Sequence, residues 1–130
     1  MVVTLTLSTK NRSGIEDLTP MVEQAVSQSG VRSGTCTVFV PHTTAGIIIN
    51  ENYDPDVKRD ILSALGKLVP MHGDYAHSEG NSDAHIKASM VGTSVTLPIS
   101  EGRLMLGTWQ GILLCEFDGP RTRHVIVHIS

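Results

Sequence analysis

Aromatic residues are scarce in this chain: two phenylalanines, two tyrosines and one tryptophan among 130 residues. Basic residues are equally thin, with 10 Lys and Arg set against 13 Asp and Glu. So few rings cannot build a base-stacking platform, and no basic stripe exists to neutralise a run of phosphates, which excludes nucleic-acid binding as a first reading. A small phosphorylated molecule stays compatible, because it needs one or two cations rather than a field. No apolar run approaches the roughly 18 residues of a membrane-spanning helix. The opening MVVTLTLSTK lacks the charged start and small-residue cleavage site of a secretory signal, so a cytoplasmic protein is expected. The two cysteines, Cys36 and Cys115, sit far apart in apolar, strand-like stretches and read as buried thiols rather than a disulfide. Missing too are a P-loop, a G-x-G-x-x-G fingerprint and a G-x-S-x-G elbow, which leaves ATP-dependent and serine-hydrolase chemistry unsupported.

What is present is a balanced globular composition, 40% apolar and 18% charged with a net charge of −3, sufficient for one domain over residues 1–130. Residues 2–8 alternate as a half-buried strand. Ile15, Leu18, Val22, Ala25 and Val26 recur at helical spacing, with Thr19-Pro20 as a cap pair and Gly30 as a stop. Residues 35–40 alternate again, and Ile47-Ile48-Ile49 reads as a strand covered on both faces. Asp54-Pro55 opens a second helix with Val57, Ile61, Leu62, Leu65 and Leu68 along its apolar stripe. Residues 69–82 show no periodicity, and residues 83–91 suit a short helix. Strands follow at 94–99, 104–109, 112–117 and 124–129, separated by Glu101-Gly102 and Asp118-Gly119-Pro120 turns. The expected architecture is α+β: an antiparallel two-sheet, sandwich-like domain with two longer helices and one short helix.

Six histidines need sorting. His124 and His128 share one parity of the last strand but lie about 13 Å apart, too far to share an ion. His72 sits beside Gly73 as a surface residue. His42, after a proline at a strand end, and His77 and His85, straddling a loop-to-helix boundary, can converge on one point. Three neutral imidazoles with an open position are what a catalytic divalent metal needs, although independent hydrogen-bonded histidines fit the spacing as well. Glu79-Gly80-Asn81-Ser82-Asp83-Ala84 offers N–H groups and a helix start to an anion, with Lys87 one turn on and Ser89 on the face of His85; ordinary capping is the alternative. Asn50, Glu51 and Asn52 emerge at a strand end. There Glu51 is either a general base, a carboxylate that orients a metal ligand, or a turn residue. Trp109 lies between glycines in Gly107–Gly111, as a ligand contact or as packing. Arg121 and Arg123 share a strand parity and either hold a phosphate or guard an edge.

Pro41-His42-Thr43-Thr44-Ala45-Gly46, Ile49-Asn50-Glu51-Asn52 and Asp54-Pro55-Asp56-Val57 resemble the first block of the YjbQ family (UPF0047). His77 through Ser89, Ser94 through Gln110, and Glu116-Phe117-Asp118-Gly119-Pro120-Arg121 resemble its later blocks, in order and at fitting spacing over nearly the whole chain. The resemblance implies a small homotrimer and the activity of a secondary thiamine-phosphate synthase, which joins a pyrimidine-methyl diphosphate to a thiazole phosphate and releases pyrophosphate. It also implies a divalent metal, zinc or another transition metal, held by His42, His77 and His85. On that expectation Asn50, Asn81, Lys87, Ser89 and Arg121 lie near phosphate, and Glu51 or Gln110 orients the second substrate. A metal-dependent hydrolase of a small phosphorylated metabolite and a non-catalytic trimeric binding protein are the competing readings.

Overall fold

The computed structural model describes residues 1–130. Eight strands and three helices follow the order β1 (Val2–Ser8), β2 (Gly14–Asp17), α1 (Thr19–Ser29), β3 (Ser33–Phe39), β4 (Ala45–Glu51), α2 (Pro55–Leu68), α3 (Ser82–Val91), β5 (Ser94–Ser100), β6 (Arg103–Leu104), β7 (Gln110–Glu116) and β8 (Thr122–Ile129). Five strands form one sheet in the order β1-β8-β3-β5-β6, and three form a smaller sheet in the order β2-β7-β4. Every pairing is antiparallel.

The two sheets face each other across a core in which Cys36 and Val38 of β3, Ile112 and Leu114 of β7, and Val125 and Val127 of β8 are fully buried. Helix α1 closes one side of this core through Val22, Ala25 and Val26. On the other face of β7, Cys115 and Phe117 meet Ala84 and Ala88 of α3. Strand β7 is therefore covered on both sides, which accounts for its continuous apolar run. Burial pushes the Cys36 thiol up to about 11 and the Cys115 thiol up to about 12. Neither is in a disulfide.

Helix starts show where local chemistry speaks clearly. Asp54 caps α2 as expected, its Oδ1 accepting from the N–H of Asp56 at 2.9 Å, with Pro55 in the first turn. Gly30 ends α1 in the left-handed region at φ 72°. Thr19 does not cap α1, however; its hydroxyl accepts from the N–H of Ile112 at 2.9 Å and ties the helix to β7. Ile15 belongs to β2 rather than to the helix, because pairing with Cys115 of β7 outweighs its helical spacing. The strand expected over 104–109 ends at Leu104, and Gly107–Gln110 forms a turn, in which Gln110 N donates to Gly107 O at 3.1 Å.

Gly46 sits where α3 crosses β4. A Cβ there would lie 2.4 Å from Val91 Cγ2 and 2.6 Å from the Gly92 carbonyl oxygen. Gly46→Ala is expected to force α3 off β4 at a cost of about 1–3 kcal/mol, read as a lower urea midpoint at unchanged slope. An unchanged midpoint would show that α3 can shift freely.

Helix α2 stands apart. None of its residues is fully buried, although Ile61, Leu62 and Leu65 form an apolar face. With Ile47, Ile48 and Ile49 of β4, Ile61 and Leu65 line an open apolar groove of about 530 Å³. Of the three isoleucines expected to be covered on both sides, only Ile47 is fully buried within the chain.

Candidate functional site

The topology brings four chain segments to one end of the sandwich: the turn after β3, the start of α3, the turn after β7 and the start of β8. They enclose a pocket of about 660 Å³ lined, apart from Pro41 and Pro120, by polar side chains, among them His42, Thr43, Asn81, His85, Arg121 and Arg123.

The floor is a buried ion pair. Arg123 shares the inward parity of Val125, Val127 and Ile129 on β8, so the fold carries its guanidinium into the interior. There Arg123 Nε donates to Glu116 Oε1 at 2.8 Å and Nη2 donates to Glu116 Oε2, with the side chains 3% and 1% exposed. Arg123 Nη2 also donates to Thr44 Oγ1 at 2.9 Å. Glu116 further accepts from the Thr9 hydroxyl at 2.7 Å and the Asp118 N–H at 3.0 Å. Burial raises the Glu116 carboxyl, but the hydrogen bonds from Arg123, Thr9 and the Asp118 N–H outweigh it and hold the group below its ordinary range. Arg123 thus neither guards an edge nor stands free for phosphate.

Arg121 does face the pocket. Its Nε donates to the Asp118 carbonyl at 2.8 Å and its Nη2 to Asp118 Oδ2 at 2.9 Å, while half of the side chain stays in solvent. Asp118 Oδ2 also accepts from Asn81 Nδ2 at 3.0 Å. Burial raises the Asp118 carboxyl, but Asn81 and Arg121 outweigh it and keep it ionised below its usual range. The other amide atom, Asn81 Oδ1, is buried without a hydrogen-bond partner.

His42 enters from the turn after β3. Ladder pairing of β3 with β8 ends at Phe39 and Ile126. The His42 ring takes over where the ladder stops, and the N–H of His124 donates to His42 Nε2 at 2.9 Å. The two imidazoles stack with centroids 6.2 Å apart and planes 17° from parallel. Burial, then the charges of Arg123 and His124, lower the pKa of His42 below its ordinary value.

His42, Asn81, His85 and Arg121 are thereby brought to one pocket. The three imidazoles expected to share a metal do not meet. His77 and His85 pack edge to face at 5.4 Å, His42 is paired with His124 instead, and His42 Nε2 is already occupied by a backbone N–H. No three His, Cys, Asp or Glu side chains anywhere converge as a metal site would require. The residues present do not fit a three-histidine ion within one chain.

Lys87 is no free cation for phosphate: it is buried, with Nζ donating to Asp83 Oδ2 at 2.9 Å, and Arg12 binds the same carboxylate through both terminal nitrogens. Ser89 donates to the His85 carbonyl at 2.9 Å, on the exposed side of α3. Asn50, Glu51 and Gln110 lie at the far end of the small sheet, where Glu51 pairs with Gln110, six residues along β4 from Ala45 and so about 20 Å from the pocket end. Their side chains serve local turns. Asn50 Oδ1 accepts from the Glu51 N–H, Glu51 Oε2 from the Asp54 N–H and Gln110 Oε1 from the Gly107 N–H. Beside them Tyr53 and Trp109 make an exposed edge-to-face pair at 5.3 Å.

Fold and site together define a class of small two-sheet α+β proteins with one polar, arginine- and histidine-lined pocket at the sheet ends. The chain belongs to the UPF0047 family: the family profile described as "UPF0047 protein YjbQ-like" matches residues 3–130. It is 52% identical over 123 residues to the UPF0047 protein MJ1081 of Methanocaldococcus jannaschii, covering 95% of this chain and 89% of that one. To the UPF0047 protein YugU of Bacillus subtilis it is 49% identical over 124 residues, covering 95% and 94%. A crystal structure of a YjbQ/UPF0047 protein from Clostridium acetobutylicum superposes with a TM-score of 0.97 at 56% identity, over 98% of this chain and 99% of that one. A Sulfolobus solfataricus protein described as of unknown function gives 0.96 at 36% identity, over 99% and 95%. No helix is long and apolar enough to cross a membrane.

Proposed function

We propose that the pocket is the phosphate end of an enzyme site for small phosphorylated metabolites, and that the reaction is the one the family resemblance implies, formation of thiamine phosphate. The observation that carries this reading is a lining that, apart from Pro41 and Pro120, is polar and gathers Arg121, His42, Asn81 and His85. Nε and Nη2 of Arg121 are engaged by Asp118, which aims the guanidinium and leaves Nη1 for a ligand oxygen. In the reaction the thiazole nitrogen attacks the methylene carbon of the pyrimidine, the C–O bond to the diphosphate breaks, and the electron pair leaves with pyrophosphate. Fixed donors at the departing oxygens stabilise that charge as it develops.

The heterocycles need flat apolar surface, which the pocket lacks and which Tyr53 and Trp109 offer beside Gln110 and Glu51 at the opposite sheet end. Those residues would reach the polar pocket at the other sheet end only from a second chain. A homotrimer would supply them, and closed assembly would cover the groove between α2 and β4. In this arrangement Asn50, Glu51 and Gln110 orient the second substrate across the subunit boundary.

The test is turnover of a pyrimidine-methyl diphosphate with a thiazole phosphate by purified protein, beside Arg121→Ala. Thiamine phosphate formed by the wild type, and a loss of about 100-fold or more in the variant, is the expected result. Phosphate release without the thiazole would make the protein a hydrolase, and tight binding without product would make it a binding module. Light scattering checks the trimer in the same preparation.

A further inference from the structure

We propose that His42 is locked as the neutral tautomer protonated on Nδ1 and serves the pocket as a hydrogen-bond donor to an oxyanion, not as a metal ligand. The proposal starts from a backbone group. Strand β3 pairs with β8 only as far as Phe39, and Pro41 follows within two residues, so the His124 N–H has no ladder partner. The His42 ring supplies the missing acceptor at 2.9 Å. A donor pointing at Nε2 requires a lone pair there, which places the ring proton on Nδ1.

The lock is reinforced from both sides. The His124 ring that stacks on His42 is itself held, its Nδ1 lying 3.2 Å from the Thr6 hydroxyl. Thr44, two residues from His42, is fixed by the Arg123 guanidinium at 2.9 Å. A metal at Nε2 would displace the backbone donor, and a metal at Nδ1 would need the proton removed from a ring whose other nitrogen is already engaged. The free atom of the ring is therefore an N–H on a residue that lines the pocket, and its complement is an acceptor. A phosphoryl oxygen in the pocket that Arg121 also lines is that acceptor; this last step rests on the phosphate reading above, whereas the tautomer does not.

Imidazole 15N–1H correlation spectra at neutral pH test the proposal directly, recorded alone, with zinc and with inorganic phosphate. The expected result is a His42 pattern protonated on Nδ1, unmoved at Nε2 by zinc, with the Nδ1 signal shifted by phosphate. Protonation on Nε2, or a zinc-induced shift there, overturns it. Substitutions give a second readout. His42→Gln keeps an acceptor for His124 and a donor for the ligand, and should hold phosphate affinity within about threefold, while His42→Leu should lose about tenfold or more. Equal affinities in the two variants would overturn the donor role. If phosphate shifts no pocket signal while the Nδ1 tautomer persists through zinc addition, the phosphate reading fails and the locked tautomer stands.

Discussion

Arg123→Met is expected to destabilise the protein by about 3–5 kcal/mol, because it leaves Glu116 as an uncompensated charge in the interior. Glu116 is 1% exposed and accepts four hydrogen bonds, two of them from Arg123. Without the guanidinium, the remaining donors, Thr9 and the Asp118 N–H, cannot balance a buried carboxylate. The group would have to protonate or draw in water. The double variant Arg123→Met with Glu116→Leu removes both charges and should cost clearly less than the sum of the single changes, since apolar replacements of a buried pair are often near neutral. Urea unfolding of the four proteins measures the coupling, and strict additivity would show that the pair contributes no mutual stabilisation. The same change should reach the pocket. Arg123 holds the Thr44 hydroxyl at the end of the turn that carries His42, so phosphate affinity should fall with it.

This ion pair also shows where the sequence was legible and where it was not. Alternation in residues 2–8 and 35–40, the Asp54-Pro55 cap and the Gly30 stop are short-range signals, and each emerged as local chemistry predicts. The parity of β8 carried a further signal that the arginines obscured. Arg123 lies on the same face as Val125, Val127 and Ile129, so it had to point inward and needed a buried acid, and Glu116 in the apolar run of β7 was the available one. A charge on a core parity implies a partner, and that rule would have named both residues. The role of Lys87 was not legible in the same way. One helical turn separates it from Asp83, but whether the pair turns to the pocket or beneath it depends on how α3 lies on β4. Likewise, residues grouped by motif proved to be grouped by chain proximity only. Glu51 and Gln110 face each other across β4 and β7, yet the strand length carries them away from His42 and Arg121. Strand geometry makes motif neighbours distant whenever one motif spans a whole strand.

Beneath α3 the consequences of a buried carboxylate run further, because its titration can be followed. Asp83 is fully buried, bound by Arg12 through both terminal nitrogens at 3.0 and 3.2 Å and by Lys87 at 2.9 Å. Asp83→Asn preserves the shape but leaves the Lys87 ammonium, 6% exposed, without a counter-charge; a loss of about 3–5 kcal/mol is expected. Adding Lys87→Met to Asp83→Asn should restore much of it, since the stranded charge is then gone. The pH dependence follows from the direction of the shift. Burial raises the Asp83 carboxyl, but the hydrogen bonds and charges of Arg12 and Lys87 outweigh it and lower the folded-state pKa below the unfolded one. The stabilisation is therefore complete above the ordinary carboxylate range, about pH 4, and is lost as pH falls through the folded-state value. Unfolding curves of wild type and Asp83→Asn should differ most at neutral pH and converge in acid. A gap that stays constant from neutral to acid pH would assign the stabilisation to packing at Asp83 rather than to its charge. Because α3 also carries His85, with Asn81 at its cap, acid that releases Asp83 should loosen that wall of the pocket in step with the loss of stability.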